Sequence, residues 1–479
     1  MEHSRRGSGS GLRQERASTV IRAEERSKED LARVLSLLRA HGWNSTSFQV
    51  LEPGFRYWFD ADEGCVAYVD TGRAWVVAGP PVAPRERFIE VARSFVASAT
   101  TAGRRVCFFG TEPRFHEAMG WPAIRVGEQP VWAPSDWPET VARKRSLREQ
   151  IRRARAKGVT VRRLDPGELA ESHPTRASLD ALIARWLAAK AMATMGFLVQ
   201  VHPYTFPSER RSFAAVQEGR MVGFLGVVPI YARDGWFFED FLSHAGAPNG
   251  TMEMLIDAGL RAAASEDVSY VTLGLVPLVG NVGPWLRIFR GLGGGFYDFA
   301  GLRAFKAKFR PRAWDPIYLA YPPGQAAGSA ILDTLSAFAR GGLFAFGVRT
   351  LMRAPAIVMR VLAVLLIPWI ALLALPSSAR WFPSEIWRWG WVVFDVVICA
   401  ALYALSERWH PRLADALVLA ITLDALITFV QAVAFDLPRH TSPLDWGIIL
   451  VAVLAPTFAA TLLWSGRAHR GKAQTSSIS

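Results

Sequence analysis

The chain has 479 residues, of which 51% are hydrophobic and 20% charged, and a formal net charge of +13. That length exceeds a single small module and leaves room for two domains beside a membrane segment, while the charge favours anionic partners such as nucleic acid or anionic lipid. The three cysteines, Cys65, Cys107 and Cys399, lack CxxC or metal-type spacing, which argues against a disulfide framework or a cysteine metal centre.

Residues 1–26 are rich in Ser, Gly and Arg, with no apolar h-region, so no cleaved secretory signal is expected and the head should stay cytoplasmic. Residues 64–81 read as two short β runs joined by a turn at 70–72. A helical pattern covers 84–102 (Phe88, Val91, Ala92, Phe95, Val96), and a β run covers 105–109. The theme returns later. Runs at 211–216 and 221–232 flank a turn at Glu218 and Gly219, a third run covers 235–243, a helix 251–265 and a strand 270–275. Three strands, a helix and a strand, twice over, predict an α/β (α+β) head made of two copies of one unit with a largely antiparallel sheet. This order resembles GNAT-type acyltransferase folds.

Between the copies, residues 143–163 carry many Lys and Arg residues but one acid, Glu149. On a helix Arg145, Arg148, Arg152 and Arg155 share one face, while Leu147, Ile151 and Ala154 line another that packs on the head. A helix meant only for solubility would interleave both signs. The segment is therefore expected to contact a phosphate backbone or lipid headgroups, with salt weakening the contact; a solvated charged face is the alternative.

The second copy holds the residues suited to chemistry. The strand at 236–243 carries Glu239 and Asp240, and Asn249, Gly250, Thr251, Met252 and Glu253 open the next helix. A helix start leaves free N–H groups at the positive end of its dipole, an anion or oxyanion site. Asn249 or Thr251 is suited to cap it, and Gly250 to let a ligand approach the backbone. Asp240 beside Glu253 would form a carboxylate pair. Read as an extended segment, 305–309 points Lys306 and Lys308 to one side and Phe305, Ala307 and Phe309 to the core. Two ammonium groups on one wall would bind a phosphate or a terminal carboxylate-like group; a solvated basic face is the alternative.

The rest of the chain reads as lipid-facing. Residues 335–351, apolar apart from Arg340 and Arg349, suit an interfacial helix or a plain linker. Apolar runs at 356–375, 389–405, 413–434 and 446–464 each approach the roughly 20 residues needed to span a bilayer. Arg349, Arg353, Arg360, Arg408, Arg412, Arg467, Arg470 and Lys472 outnumber Arg380, Arg388 and Arg439 on the opposite loops, which places both ends in the cytoplasm. Trp389, Trp391, Trp446 and Trp464 sit near span ends, and Asp395 and Asp424 fall inside spans. The expected organisation is a disordered basic tail (1–26), a first subdomain (27–142), a basic linker helix (143–163), a catalytic subdomain (164–325), an interfacial linker (326–355), four transmembrane helices (356–466) and a cytoplasmic tail (467–479).

Phe305-Lys306-x-Lys308-Phe309-x-Pro311-x-x-Trp314-x-Pro316-x-Tyr318-Leu319, with the helix start at 248–253 and Leu273-Gly274-Leu275, resembles the catalytic domain of phosphatidylglycerol lysyltransferases, the aminoacyl-phosphatidylglycerol synthase family. Gly127-Glu128, Arg148, Trp186, Lys190 and Gly196-Phe197 extend the likeness over about residues 52–320. The resemblance implies a tandem GNAT-like head with its active site in the second copy. It also implies aminoacyl-tRNA as donor, a lipid hydroxyl as acceptor, an anionic membrane lipid as partner and the cytoplasmic face of a bacterial-type inner membrane as location. Because the donor ester is already activated, no cofactor or metal is expected, and the sequence carries no P-loop pattern. Asp240 or Glu253 would deprotonate or orient the acceptor, with Lys308 as their catalytic companion. N–H groups around Asn249, Gly250 and Thr251 would hold the oxyanion, and Lys306, Lys308, Arg148 and Trp314 would bind substrate. The chain departs from the family in placing its apolar helices after the head. It also has Ser243-His244 where familiar members have Arg three residues after the Asp, and His244 replaces that cation only when protonated. A GNAT-like acyltransferase with another ester or thioester donor, or a non-catalytic lipid-binding accessory, are the competing classes.

Overall fold

A computed structural model describes residues 28–61, 63–189, 195–279, 299–339, 342–343, 346–347, 350, 355–407, 410–436 and 443–475. The expectations for residues 1–26, Lys190, Arg340, Arg349, Arg353, Arg408 and Arg439 lie outside the described residues. The chain divides into two compact units, 1–190 with 194–343, and 191–193 with 344–479.

The first unit opens with helix α1 (28–41). Then come β1 (Arg56–Asp60), β2 (Gly64–Asp70), β3 (Ala74–Ala78), α2 (Phe88–Thr101), β4 (Arg105–Thr111), α3 (Pro113–Met119) and β5 (Ala123–Trp132). The β2–β3 turn closes because the Gly72 N–H, at φ +81°, donates to Asp70 Oδ1 at 2.8 Å. Helix α2 buries Phe88, Val91, Ala92, Phe95 and Ala99, the three-and-four spacing of one helical stripe. Helices α4 (Trp137–Arg143) and α5 (Arg145–Ala156) lead into β6 (Thr160–Leu164) and α6 (Pro174–Ala188). The second copy follows with β7 (Arg211–Gln217), β8 (Arg220–Ile230), β9 (Gly235–Ser243), α7 (Thr251–Ser265) and β10 (Tyr270–Thr272). The short β11 (Val276–Pro277), α8 (Phe299–Ala307), β12 (Ala313–Ala320) and α9 (Ala327–Phe338) complete the unit.

The strands of the described residues join one mixed sheet in the order β1-β2-β3-β4-β12-β5-β10-β9-β8-β7-β6, with β11 on β5. Each copy has three antiparallel strands, then a helix, then a strand parallel to the third: β4 beside β3, and β10 beside β9. The copies exchange their last strands. First-copy β5 pairs with second-copy β10, β12 returns to pair with β4, and β5 and β12 pair with each other. A strand lent in both directions ties the halves through backbone hydrogen bonds, which are costly to leave unmade in the interior.

Helix α5 presents Leu147, Ile151 and Ala154 to a core that also holds Trp137, Phe238, Leu255 and Phe309. Arg145, Arg148, Arg152 and Arg155 are exposed on its outer side. The extended reading of 305–309 is overturned, since α8 runs to Ala307 and a turn continues through Lys308 and Phe309. Phe305 and Phe309, four apart, stack edge to face at 5.3 Å on a helical face, and Arg310 at φ +53° followed by Pro311 ends the turn.

Among its described residues the second unit contains four long helices, α10 (Pro355–Ala374), α11 (Glu385–Glu407), α12 (Pro411–Gln431) and α13 (Pro443–Thr475). Among the described residues, two stretches, Glu385–Glu407 and Pro411–Phe435, are long and apolar enough to cross a membrane, and Met359–Ala374 and Trp446–Thr461 are shorter apolar helices. Ile398, Leu402 and Leu405 pack against Leu417, Val418 and Ile421, while Val393, Val397, Leu419 and Leu426 stay exposed. Apolar side chains thus occupy both the inner and the outer faces of these helices.

Candidate active site

The second copy holds a cavity of about 500 Å³ at the N-terminal end of α7. Gln150 and Arg153 come from α5, Ser243 from the end of β9, and His244, Ala245 and 247–250 from the connecting loop; Thr251, Met252 and Glu253 of α7, with Phe305 and Lys308, close it.

Gly250 is the N-cap of α7, at φ +100°, with no side-chain cap. The expected capping by Asn249 or Thr251 is not formed, because the Thr251 hydroxyl donates backwards to the Pro248 carbonyl at 2.7 Å. The N–H groups of Met252 and Glu253 therefore have no acceptor within the helix and stand beside the cavity. The role expected of Gly250 is also corrected. A Cβ there would lie 2.0 Å from the Gln150 carbonyl oxygen, so the missing side chain admits α5 rather than a ligand.

Glu253, 5% exposed, pairs with Lys308, whose Nζ also donates to Gln150 Oε1 at 3.1 Å. This triad links α7, the turn after α8, and α5, and it collects two of the three expected catalytic residues. Gln150 is absent from the residues expected from sequence, and its type gives no distinct signal, since Ser146 is a second uncharged polar residue among the arginines of α5.

Asp240 lies elsewhere. Gly226 pairs with Asp240 and Val227 with Phe238, so Glu239 is an extra residue in β9, a bulge that resets the alternation. Phe241 then packs against the cavity-lining Phe305 at 6.3 Å, and its neighbour Asp240 faces the other side with Leu242, which joins the α6 cluster. The expected Asp240–Glu253 pair is thus split across the sheet. Around Asp240, Arg210 pairs with Glu239 and with Glu52 at 3.3 Å, all three side chains being at most 3% exposed. Three carboxyl groups share one guanidinium, so protons must make up the balance. Burial and the Glu239 charge push Glu52 up to about 10 against the opposing pull of Arg210. Burial, then Glu239, raises Asp240 well above the usual carboxylate range. Glu52 Oε2, Glu239 Oε1 and Asp240 Oδ2 receive no hydrogen bond from an N–H or hydroxyl donor among the described residues, which leaves carboxyl protons to satisfy them.

Lys306 is 2% exposed and does not share a wall with Lys308. Its ammonium donates to the carbonyls of Leu273, Gly274 and Leu275 at 2.6, 2.9 and 3.2 Å, gathering the chain where β10 ends. Burial pulls its pKa down to about 7, while the three acceptors favour the charged form. Two helical residues apart means roughly 200° of rotation, which separates the two lysines. Arg148 donates to the Val141 carbonyl at 3.0 Å and to that of Ala142, closing the end of α4. Trp314 stands on β12 opposite Pro130, with the Arg303 guanidinium 4.7 Å from its ring centroid. Neither lines the cavity.

Fold and cavity together define a two-copy α/β head with exchanged end strands and a polar pocket in its second copy. Residues 35–321 match the family described as phosphatidylglycerol lysyltransferase, C-terminal, and the chain belongs to that family. It is 27% identical over 311 residues to a phosphatidylglycerol lysyltransferase of Bacillus subtilis (strain 168), covering 61% of this chain and 35% of that protein. A Staphylococcus xylosus phosphatidylglycerol lysyltransferase is 22% identical over 329 residues, covering 64% and 38%. The match thus spans little more than a third of either relative's length. Among solved structures, the fold is similar to L-PGS from Bacillus licheniformis (TM-score 0.55, 22% identity, 64% of this chain and 95% of that one). It is equally similar to the C-terminal domain of an Agrobacterium fabrum protein of the lysylphosphatidylglycerol synthetase type (TM-score 0.55, 23% identity, 65% and 96%).

Proposed function

We propose that this protein moves an aminoacyl group from aminoacyl-tRNA to the hydroxyl of phosphatidylglycerol or a related lipid, at the cytoplasmic face of a bacterial-type inner membrane. The observation that carries the reading is the Glu253–Lys308–Gln150 triad beside the open start of α7, in a head that belongs to this family. The lysyltransferase activity named for the relatives, the exposed arginines of α5 as a surface for an RNA backbone, and the apolar helices as a tether all support it. The repeated strand–strand–strand–helix–strand unit supports a tandem GNAT-like head, and α10–α13 supply the proposed four-helix anchor.

In this reading Glu253 accepts the proton of the lipid hydroxyl as its oxygen attacks the ester carbonyl. Lys308 and Gln150 hold the carboxylate in place. N–H groups of Met252 and Glu253 face the oxygen that gains charge. Collapse of the tetrahedral intermediate breaks the bond to the ribose oxygen, which leaves with the proton from Glu253. The activated ester supplies the driving force, so no nucleotide is consumed. Asp240 is assigned to the protonated interior cluster and Lys306 to holding the end of β10.

The test is mass spectrometry of membrane lipids from cells with and without the full chain, paired with transfer assays before and after RNase treatment. New aminoacylated lipid and RNase-sensitive transfer support the proposal. Transfer that survives RNase would point to another ester or thioester donor, and no new lipid species to a non-catalytic accessory.

A further inference from the structure

Resting on the aminoacyl-transfer reading, we propose that His244 is a catalytic residue: its Nε2–H, held as a fixed donor, stabilises the oxyanion of the tetrahedral intermediate. Three observations carry this. The side chain lines the same cavity as Glu253 and Lys308. Its Nδ1 accepts the Gly246 amide N–H at 3.0 Å. Its own backbone is pinned, the N–H donating to Val222 O at 2.9 Å and the carbonyl accepting from the Ala247 N–H at 3.0 Å.

A ring nitrogen that accepts an amide N–H carries no proton, so the neutral imidazole must hold its hydrogen on Nε2. This excludes two other roles. A general base would need a bare nitrogen facing the substrate, but the bare one faces Gly246. A cation replacing the missing arginine would need both nitrogens protonated, which breaks the Gly246 contact. What remains is a neutral donor. It would act beside the Met252 and Glu253 N–H groups, since Lys308 is already engaged by Glu253 and Gln150. During attack the new C–O bond forms from a hydroxyl lone pair, the carbonyl π pair moves onto oxygen, and the hydroxyl proton goes to Glu253. His244 transfers nothing; its hydrogen bond strengthens as charge builds and relaxes when the ribose oxygen leaves. Gly246 sets the ring's position: a Cβ there would lie 3.2 Å from Nδ1 and 3.3 Å from Cε1.

The experiment uses the full-length protein in phosphatidylglycerol vesicles, with bulk tRNA charged with a radiolabelled amino-acid mixture. His244→Asn retains an acceptor near Gly246 but has no donor at the Nε2 position, whereas His244→Gln places an amide N–H there. We expect His244→Asn to lose about 100-fold in kcat with KM for both substrates nearly unchanged, and His244→Gln to recover about tenfold of that loss. Gly246→Ala, which leaves the imidazole present but displaced, should lose about tenfold in kcat. Wild-type kcat in His244→Asn, equal losses in the Asn and Gln variants, or a raised KM at constant kcat (the mark of a headgroup phosphate ligand) would each overturn the assignment. Absence of transfer by the wild-type protein would instead remove the aminoacyl reading, and this assignment with it.

Discussion

Replacing Lys308 by Met tests the triad most directly. The change keeps the apolar stem of the side chain and removes the ammonium from Glu253, whose side chain is 6% exposed, while Lys308 itself is 26% exposed. Stranding a charge in a buried pair costs about 3–5 kcal/mol, but the open side of Lys308 admits water, so we expect about 1–3 kcal/mol. Glu253→Gln in the same chain removes the stranded charge and should restore at least half of that loss. The pair then shows as a non-additive coupling in a double-mutant cycle of denaturation midpoints in detergent. Turnover follows a different rule: Lys308→Met and the double variant should both lose transfer by at least about 100-fold, since the proton acceptor is misplaced in one and absent in the other. Additive stability changes would refute the pairing, and wild-type turnover in Lys308→Met would refute its catalytic assignment.

Gly250→Ala should loosen α5, because the added Cβ meets the Gln150 carbonyl at a left-handed φ. The left-handed strain and overpacking cost about 2–4 kcal/mol together, to be read as hydrogen exchange at least about 30-fold faster in peptides from 145–156. Unchanged exchange with only a raised substrate KM would restore a ligand-access role for this glycine. Glu52 titrates near 10 in the folded chain against 4.5 for an ordinary Glu. The folded state thus holds the extra proton between those values, and its contribution is complete below about 4.5 and lost as pH rises toward 10. Glu52→Gln should therefore gain stability relative to wild type as pH rises through that window; parallel denaturation profiles would refute the shared-proton cluster. Reversing Arg145 and Arg152 to Glu should weaken tRNA binding and flatten its dependence on salt, with melting temperature little changed because both side chains are exposed. An unaltered slope of log affinity against log salt would remove α5 from the RNA surface.

Local pattern was enough for much of this protein. The turn at Asp234 and Gly235 located the start of β9 (Gly235–Ser243), and a helix was expected where α7 runs, Thr251–Ser265. The two faces of α5 were equally legible, since Leu147, Ile151 and Ala154 repeat at helical spacing among arginines. These signals depend on neighbours within one or two turns of chain. The motif around Lys308 likewise identified the family, because it is a string of residue types.

What the sequence could not decide was everything set by contacts far along the chain. The exchange of β5 and β12 joins residues almost two hundred positions apart, such as Val131 and Ala313, and no local period encodes it. One extra residue at Glu239 turned Asp240 away from Glu253, because a strand has two faces and a single-residue shift swaps them. The pair Phe305 and Phe309 satisfied both an alternating and a helical pattern, and packing settled it as helix, burying Lys306 beneath three carbonyls and leaving Lys308 at the cavity. Composition and periodicity thus determined which segments are polar, amphipathic or apolar throughout; only the folded sheet determined which polar groups meet, because a one-residue register change costs nothing in composition and reverses every side chain.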